Sequence, residues 1–290
     1  MAAVQQPFTA YHIAAPVSNF RKIKVNLIAL TRRPILIYQQ SVERARPARR
    51  AVAKPQFVGF VTDLIVPDEA SVAPRPQAFL VEQSPNWTLP THFHQEHQFQ
   101  VFVAGGGMIG KNPVERLAVH YVSPHSGYGP LISGDEGISY FTLRAVGDTG
   151  AWYLPEQREH LQLRIKKQQA HATLASQVTL QELLSLPQPR EEILIPPDAG
   201  GLAAWLVRLP PGLAAPAPAM GEAGGGRFYV VTKGSLLMNS EELPGLATVF
   251  VSSDEALVLR AGAQGLEVLV LQFPAVAATS FVEAMAASTG

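Results

Sequence analysis

Cysteine is absent from the 290-residue chain. That excludes a disulfide framework, a thiolate nucleophile, a zinc finger and a Cys-bound cluster. Any metal site must therefore use His, carboxylate or amide ligands. Long apolar runs are lacking too. Candidates such as Val25–Leu30 and Glu267–Phe273 fall far short of the roughly 18 apolar residues of a spanning helix, so a soluble, cytoplasmic protein is expected. Charge is sparse, at 16% of residues against 47% hydrophobic. Such a chain is too apolar to be disordered as a whole and long enough for one large or two smaller domains. There is no GxxxxGK[ST] phosphate loop and no GxSxG nucleophile elbow. The paired acids Asp135-Glu136 and Glu191-Glu192 read as solvated surface charge rather than an acid/base pair.

The net charge of zero hides a segregation. Residues 1–54 carry ten Lys/Arg and a single acid, Glu43, for +9, and the remainder holds 13 basic and 22 acidic groups, for −9. A basic tail can serve nucleic acid, a membrane or an organelle presequence. Here no aromatics are interleaved for base stacking, so neither nucleic acid nor membrane is expected as a partner. Residues 1–55 are predicted to be a flexible extension.

An internal repeat organises the rest of the chain. A shift of 129 places Phe99 on Phe228, Val101 on Val230, Gly105 on Gly234 and Leu117-Ala118 on Leu246-Ala247. After one deletion the shift is 128, and Gly134, Gly137, Ile138 and Leu143 meet Gly262, Gly265, Leu266 and Leu271. The matched residues are apolar positions and glycines, which fix strands and turns. Within each copy, short β-branched and aromatic runs close on glycine, as in Gln98–Val103 before Gly105 and Arg227–Thr232 before Gly234. Many short strands with Gly/Pro punctuation predict an all-β sandwich or barrel.

Between the copies the texture changes. Pro155 opens a stretch with Leu161 and Ile165 on one helical face, and Thr179-Leu-Gln-Glu182 reads as a capping box. The predicted organisation is a barrel at 56–150, a helical connector at 151–192 and a second barrel at 193–275. Pro210-Pro211 and Ala214–Ala219 read as a loop within the second barrel, and residues 276–290 as a small-residue tail with a short helix.

Chemistry-bearing residues concentrate in the first copy. Thr91-His92-Phe-His94-Gln-Glu96-His97-Gln98, followed by an apolar strand to Gly105, resembles the first motif of the cupin superfamily. Val122-Ser-Pro124-His-Ser-Gly127-Tyr-Gly-Pro130 stands where the second motif belongs. With the repeat, the resemblance covers residues 78–150 and 193–275 and is to a bicupin. It implies an all-β fold of two tandem cupin-type jelly-roll barrels (double-stranded β-helices) joined by a short helical connector. Residues i and i+2 of a strand point the same way, so both imidazoles can aim into one barrel and share a metal at about 2.0–2.1 Å. The family adds a Glu and a second-motif His. Those positions fall on Gln98 and near Tyr128–Pro130, so the motif is degenerate. Glu96 and His97 are close enough for a bulge to bring either into range, His120 is a further candidate ligand, and His125 falls in a turn.

Three readings of the pair stay open. His92, His94, Gln98 and His120 hold one divalent Fe, Mn, Ni or Zn. Alternatively, the histidines bind an organic ligand in a metal-free pocket with Gln98, Phe102 and Tyr128, where Phe93 and Phe99 are further candidates for the lining. Otherwise they satisfy one another. The corresponding functions are a metal-dependent dioxygenase or isomerase of a small organic acid, a non-catalytic binding barrel, and a scaffold. In the second copy the four positions become Gly221, Ala223, Arg227 and Val249, so no metal is expected there, and Arg227 reads as an exposed arginine. His12, His160 and His171 read as solvated. A small-molecule ligand and, from the exposed barrel edges, a homodimer are the expected partners.

Overall fold

The computed structural model describes residues 37–66, 75–148, 150–174, 177–218, 225–252 and 257–275. The predicted tail at 276–290 and His12 lie outside them. In chain order the elements are β1 (Ile37–Ser41), α1 (Val42–Ala45), β2 (Arg49–Lys54), β3 (Phe57–Ile65), β4 (Gln77–Gln83), β5 (Thr88–Leu89), β6 (His92–Phe93), β7 (Gln98–Ile109), β8 (Asn112–Val114), β9 (Val119–Val122), β10 (Leu131–Arg144), β11 (Trp152–Tyr153), β12 (Gln169–Ala172), α2 (Leu180–Leu184), β13 (Arg190–Ile195), β14 (Ala203–Leu209), β15 (Ala214–Pro216), β16 (Arg227–Met238), β17 (Glu241–Pro244), β18 (Ala247–Val251) and β19 (Val258–Gln272). A nine-stranded sheet runs β12-β9-β7-β10-β4-β3-β2, with β5 paired to β10 and β8 to β7. An eight-stranded sheet runs β1-β18-β16-β19-β14-β13, with β15 and β17.

The repeat is visible in strand register. Phe99 pairs with Leu143 and Gly105 with Ile138 in the first barrel; Phe228 pairs with Leu271 and Gly234 with Leu266 in the second. The glycines are required there. Gly105 and Gly234 both sit at φ +68°, and a Cβ on either would lie 2.0 or 2.1 Å from the carbonyl oxygen of Gly137 or Gly265. Only glycine adopts that backbone beside so close a neighbour without strain.

Both faces of the long strands are covered, and strand alternation sorts the side chains. Phe99, Val101, Tyr121 and Phe141 pack on Phe228, Val230, Leu269, Leu271 and Phe273, forming the core between the barrels. The opposite face of β7 presents Gln98 and Gln100 to a cavity and Phe102 to the interior core. The second barrel is filled by Trp205, Tyr229, Val249, Val268 and Val270 among others.

Two expectations are corrected. The basic extension does not run to residue 55: β1 pairs with β18 of the second barrel, and β2 pairs with β3 of the first. Three of its charges are matched across the fold. Arg49 donates to Glu82 at 2.7 and 3.1 Å, Arg50 to Asp63 at 3.3 Å, and Arg44 forms an ion pair with Glu241. The connector is also less helical than predicted. Its capping box forms, with the Thr179 side chain accepting from the Glu182 amide and Glu182 from that of Thr179. Residues 158–160 make only one 3-10 turn, and β12 joins the first sheet against β9. Leu161 and Ile165 are only half-buried and Leu163 is exposed, too little apolar face to hold a helix. Part of the Pro/Ala-rich loop, β15, likewise pairs with β19.

Candidate functional site

The first barrel carries an open cavity of about 340 Å³. His92 and His94 flank Phe93, so both imidazoles face the cavity, while Phe93 turns to the other side against Trp152 and His125. A backbone bridge brings Tyr128 beside His92: the His92 amide donates to the Tyr128 carbonyl and the Tyr128 amide to that of His92, at 3.1 and 2.9 Å. Gln98 enters from β7 and Arg144 from the adjoining end of β10.

These groups form one hydrogen-bonded cluster. His92 Nδ1 donates to the Pro90 carbonyl at 2.8 Å, which leaves Nε2 to accept from the Tyr128 hydroxyl at 2.8 Å. That hydroxyl in turn accepts from Gln98 Nε2 at 2.8 Å. Gln98 Oε1 accepts from Arg144 Nε and Nη2 at 3.0 and 2.6 Å, and Arg144 Nη1 donates to Gln77 Oε1. His94 Nδ1 donates to Asp148 at 2.5 Å and lies 3.0 Å from the Gly150 carbonyl. Arg144 Nη2 sits 3.2 and 3.3 Å from the two ring nitrogens of His94. Since Nδ1 is donating, Nε2 is the one left to accept. Asp148 lies 3.8 Å from the guanidinium.

Burial sets the charge states. Desolvation, with His94 and Arg144 nearby, pulls the His92 imidazole down to about 3. Desolvation and then the Arg144 charge hold His94 below its ordinary value despite Asp148. Both rings are neutral at pH 7. Burial works against ionisation of Asp148, but the hydrogen bond from His94 and the charge of Arg144 outweigh it and hold the carboxyl low. Glu96 is pushed up to about 7, chiefly by burial and then by Asp148. The ions facing the cavity are Arg50, Lys54 and Arg144 against Asp63 and Asp148, a net single positive charge.

The expected residues divide. His92, His94, Gln98 and Tyr128 converge on the cavity. Phe102 does not line it, packing instead on Tyr140 at 5.3 Å between ring centroids. Phe99 faces the other barrel. Glu96 is not in the lining, and His97 turns away to the Tyr121 hydroxyl at 2.6 Å. His120 is buried in the same interior but bonded to none of the other three. His125 is buried at φ +53°. His171 is half-buried rather than solvated and contacts the Pro113 carbonyl, and the ring of His160 lies 3.9 Å from that of Trp152. Arg227 is not at the surface: it is fully buried and donates to Gln272 at 2.9 Å.

A divalent metal does not fit this donor set. His92 Nε2, His94 Nε2 and Gln98 Oε1 already accept from Tyr128 and Arg144, and a buried guanidinium stands among them. A dication about 4 Å from that cation would meet roughly 8 kcal/mol of repulsion at an effective dielectric near 20. No cluster of three His or carboxylate residues able to hold a metal occurs among the described residues.

Arg144, Asp148 and Gln77 were not singled out in the sequence, though the repeat carries a signal for one of them. Arg144 aligns with Gln272, as Gln98 aligns with Arg227. The two copies exchange an arginine and a glutamine, as a contacting pair would.

No family profile and no curated relative matches the sequence. Solved structures do. A salicylate 1,2-dioxygenase from Pseudaminobacter salicylatoxidans aligns at 18% identity and TM-score 0.50, over 88% of this chain and 89% of that one. The pirin YhhW of Escherichia coli, in complex with nickel(II), aligns at 12% and 0.50, over 82% and 99%. A variant of Bacillus subtilis oxalate decarboxylase aligns at 12% and 0.51, over 81% and 76%. At such identities the likeness is one of fold. Together with the repeated register, it establishes that the chain has the bicupin fold, two cupin-type jelly-roll barrels in tandem.

Proposed function

We propose that the first barrel binds a small organic acid without a metal, its carboxylate held by Arg144 and its apolar body resting on Phe79, Val81 and Leu89. The observation that carries this reading is a guanidinium at the cavity wall, 3% exposed, whose closest acceptors are neutral amide oxygens. A carboxylate is a stronger partner for guanidinium than an amide and can engage it through two parallel hydrogen bonds. It would also neutralise the single positive charge of the lining. The Tyr128 and Tyr153 rings and the neutral His94 imidazole supply further polar contacts to orient the ligand.

The test is a panel of small monocarboxylates and their matched neutral amides, titrated calorimetrically into the purified full chain, with metal content measured in parallel. Carboxylates should bind and amides should not. Binding should be lost in Arg144→Met, and also in Val61→Trp, which fills the cavity from a half-buried position and keeps the test open should the arginine variant fail to fold. Equal binding of acids and amides, or acid binding unchanged in both variants, would overturn the proposal.

A further inference from the structure

Away from the cluster around Arg144, one row of buried polar atoms has no partners. Gln100 on β7 is directly opposite His120 on β9, and His120 is directly opposite His171 on β12. Their strand neighbours Val101, Tyr121, Ala170 and Ala172 pack into the core between the barrels, so the row lies on the other, interior face. His120 is 1% exposed, and neither of its ring nitrogens has a hydrogen-bond partner among the described residues; the same is true of Gln100 Oε1 and His171 Nδ1. Pro113 can only accept, so His171 Nε2 donates to its carbonyl at 3.0 Å and the lone pair stays on Nδ1. The two imidazole centroids are 5.7 Å apart.

Leaving buried polar atoms unpartnered costs their full desolvation, so a row of them asks for an occupant. We propose that His120 and His171 chelate a single imidazole-preferring divalent ion, zinc or nickel, with Gln100 Oε1 as third donor. Directly opposed cross-strand residues hold their Cβ atoms about 5 Å apart, a span two imidazoles can close on one ion. The donors are nitrogen and a neutral amide oxygen, which suits zinc or nickel and disfavours calcium or magnesium. Burial, followed by the proximity of His171, pulls His120 down to about 3, so its lone pair is free at neutral pH. Gln100 also lines the cavity, but His120 and His171 are absent from its lining, so the site does not depend on the organic-acid reading.

The full chain, stripped with a chelator, would be dialysed against zinc or nickel chloride and its metal content measured. Copper(II) bound in their place would report its nitrogen ligands by electron paramagnetic resonance. One equivalent is expected, with a two-nitrogen signature, lost in both His120→Asn and His171→Asn and retained in His92→Asn. His171 is half-buried and makes one side-chain hydrogen bond, so its variant carries the test should His120→Asn misfold. No bound metal, as when ordered water fills the row, would overturn the proposal, and so would an equivalent that survives both His171→Asn and His92→Asn. An equivalent lost in His92→Asn but kept in His171→Asn would also overturn it. That last result would place the ion in the cavity and sink the metal-free reading as well, whereas the first two leave that reading untouched.

Discussion

Acid should destabilise this fold through its interior imidazoles. His92, His97 and His120 are buried with pKa values pulled from 6.5 to about 3, 4 and 3, by desolvation in each case. Below pH 6.5 the unfolded chain takes up protons that the folded chain refuses, so stability falls as pH falls. At pH 5 each ring costs about 2 kcal/mol relative to pH 7.5, or about 6 kcal/mol for the three. Glu96 opposes them. Its carboxyl is raised to about 7, mainly by burial, so between pH 7.5 and 5 the folded state holds a proton that the unfolded state releases, worth about 2.5 kcal/mol in the other direction. Asp148 is held low and titrates below this window; His94 adds to the imidazole side. The expected net loss is at least about 3 kcal/mol, a large share of the 5–15 kcal/mol typical of a domain. Urea unfolding at pH 7.5, 6.5, 5.5 and 5.0 would measure it, and Glu96→Gln should steepen the loss towards about 6 kcal/mol. Stability that is flat or rising from pH 7.5 to 5, with Glu96→Gln no steeper than wild type, would refute the burial argument for these histidines.

Two further substitutions separate packing from electrostatics. Arg144→Met should cost about 3–5 kcal/mol in urea unfolding, because Asp148 loses its buried cation. Adding Asp148→Asn should recover part of that loss; a double variant no more stable than the single one would show that the pair is not coupled. Gly105→Ala forces a Cβ to within 2.0 Å of the Gly137 oxygen at φ +68°. It should destabilise by at least about 1–3 kcal/mol, and a thermal midpoint unchanged from wild type would contradict the register.

What the sequence made legible was whatever recurs locally. The glycines at 105, 137, 234 and 265 occupy positive-φ positions where few other residues serve, so they stand out at a fixed spacing. The His92/His94 pair is readable because strand period alone aims both rings the same way. Arg144 and Asp148 were not readable by such means. Arg144 reaches Gln98 across 46 positions and Asp148 reaches His94 across 54, and each alone looks like a charge at a strand end or in a loop. The extension is illegible for the same reason. Arg49 and Arg50 look solvated until β2 pairs with β3, which sets them against Glu82 and Asp63.

The exchanged arginine and glutamine explain why two barrels of one register differ in capacity. Each barrel buries one guanidinium–amide pair at the same place, Arg144 with Gln98 and Arg227 with Gln272. That recurrence alone would mark the pair as part of the frame. In the first barrel, however, the arginine ends the last long strand, β10, so the loop after it can return Asp148 to His94 and to the cation itself. In the second barrel the arginine opens β16, and the glutamine is followed by Phe273, which packs into the core between the barrels. The rows beside the pair diverge in the same sense: Gln100 and Thr142 line the cavity of the first barrel, where Tyr229 and Val270 fill the second. The second barrel thus packs Arg227 among its core side chains and closes around it. The other keeps its cation beside a cavity, an oriented imidazole and a carboxylate, which is why ligand chemistry is assigned to the first barrel alone.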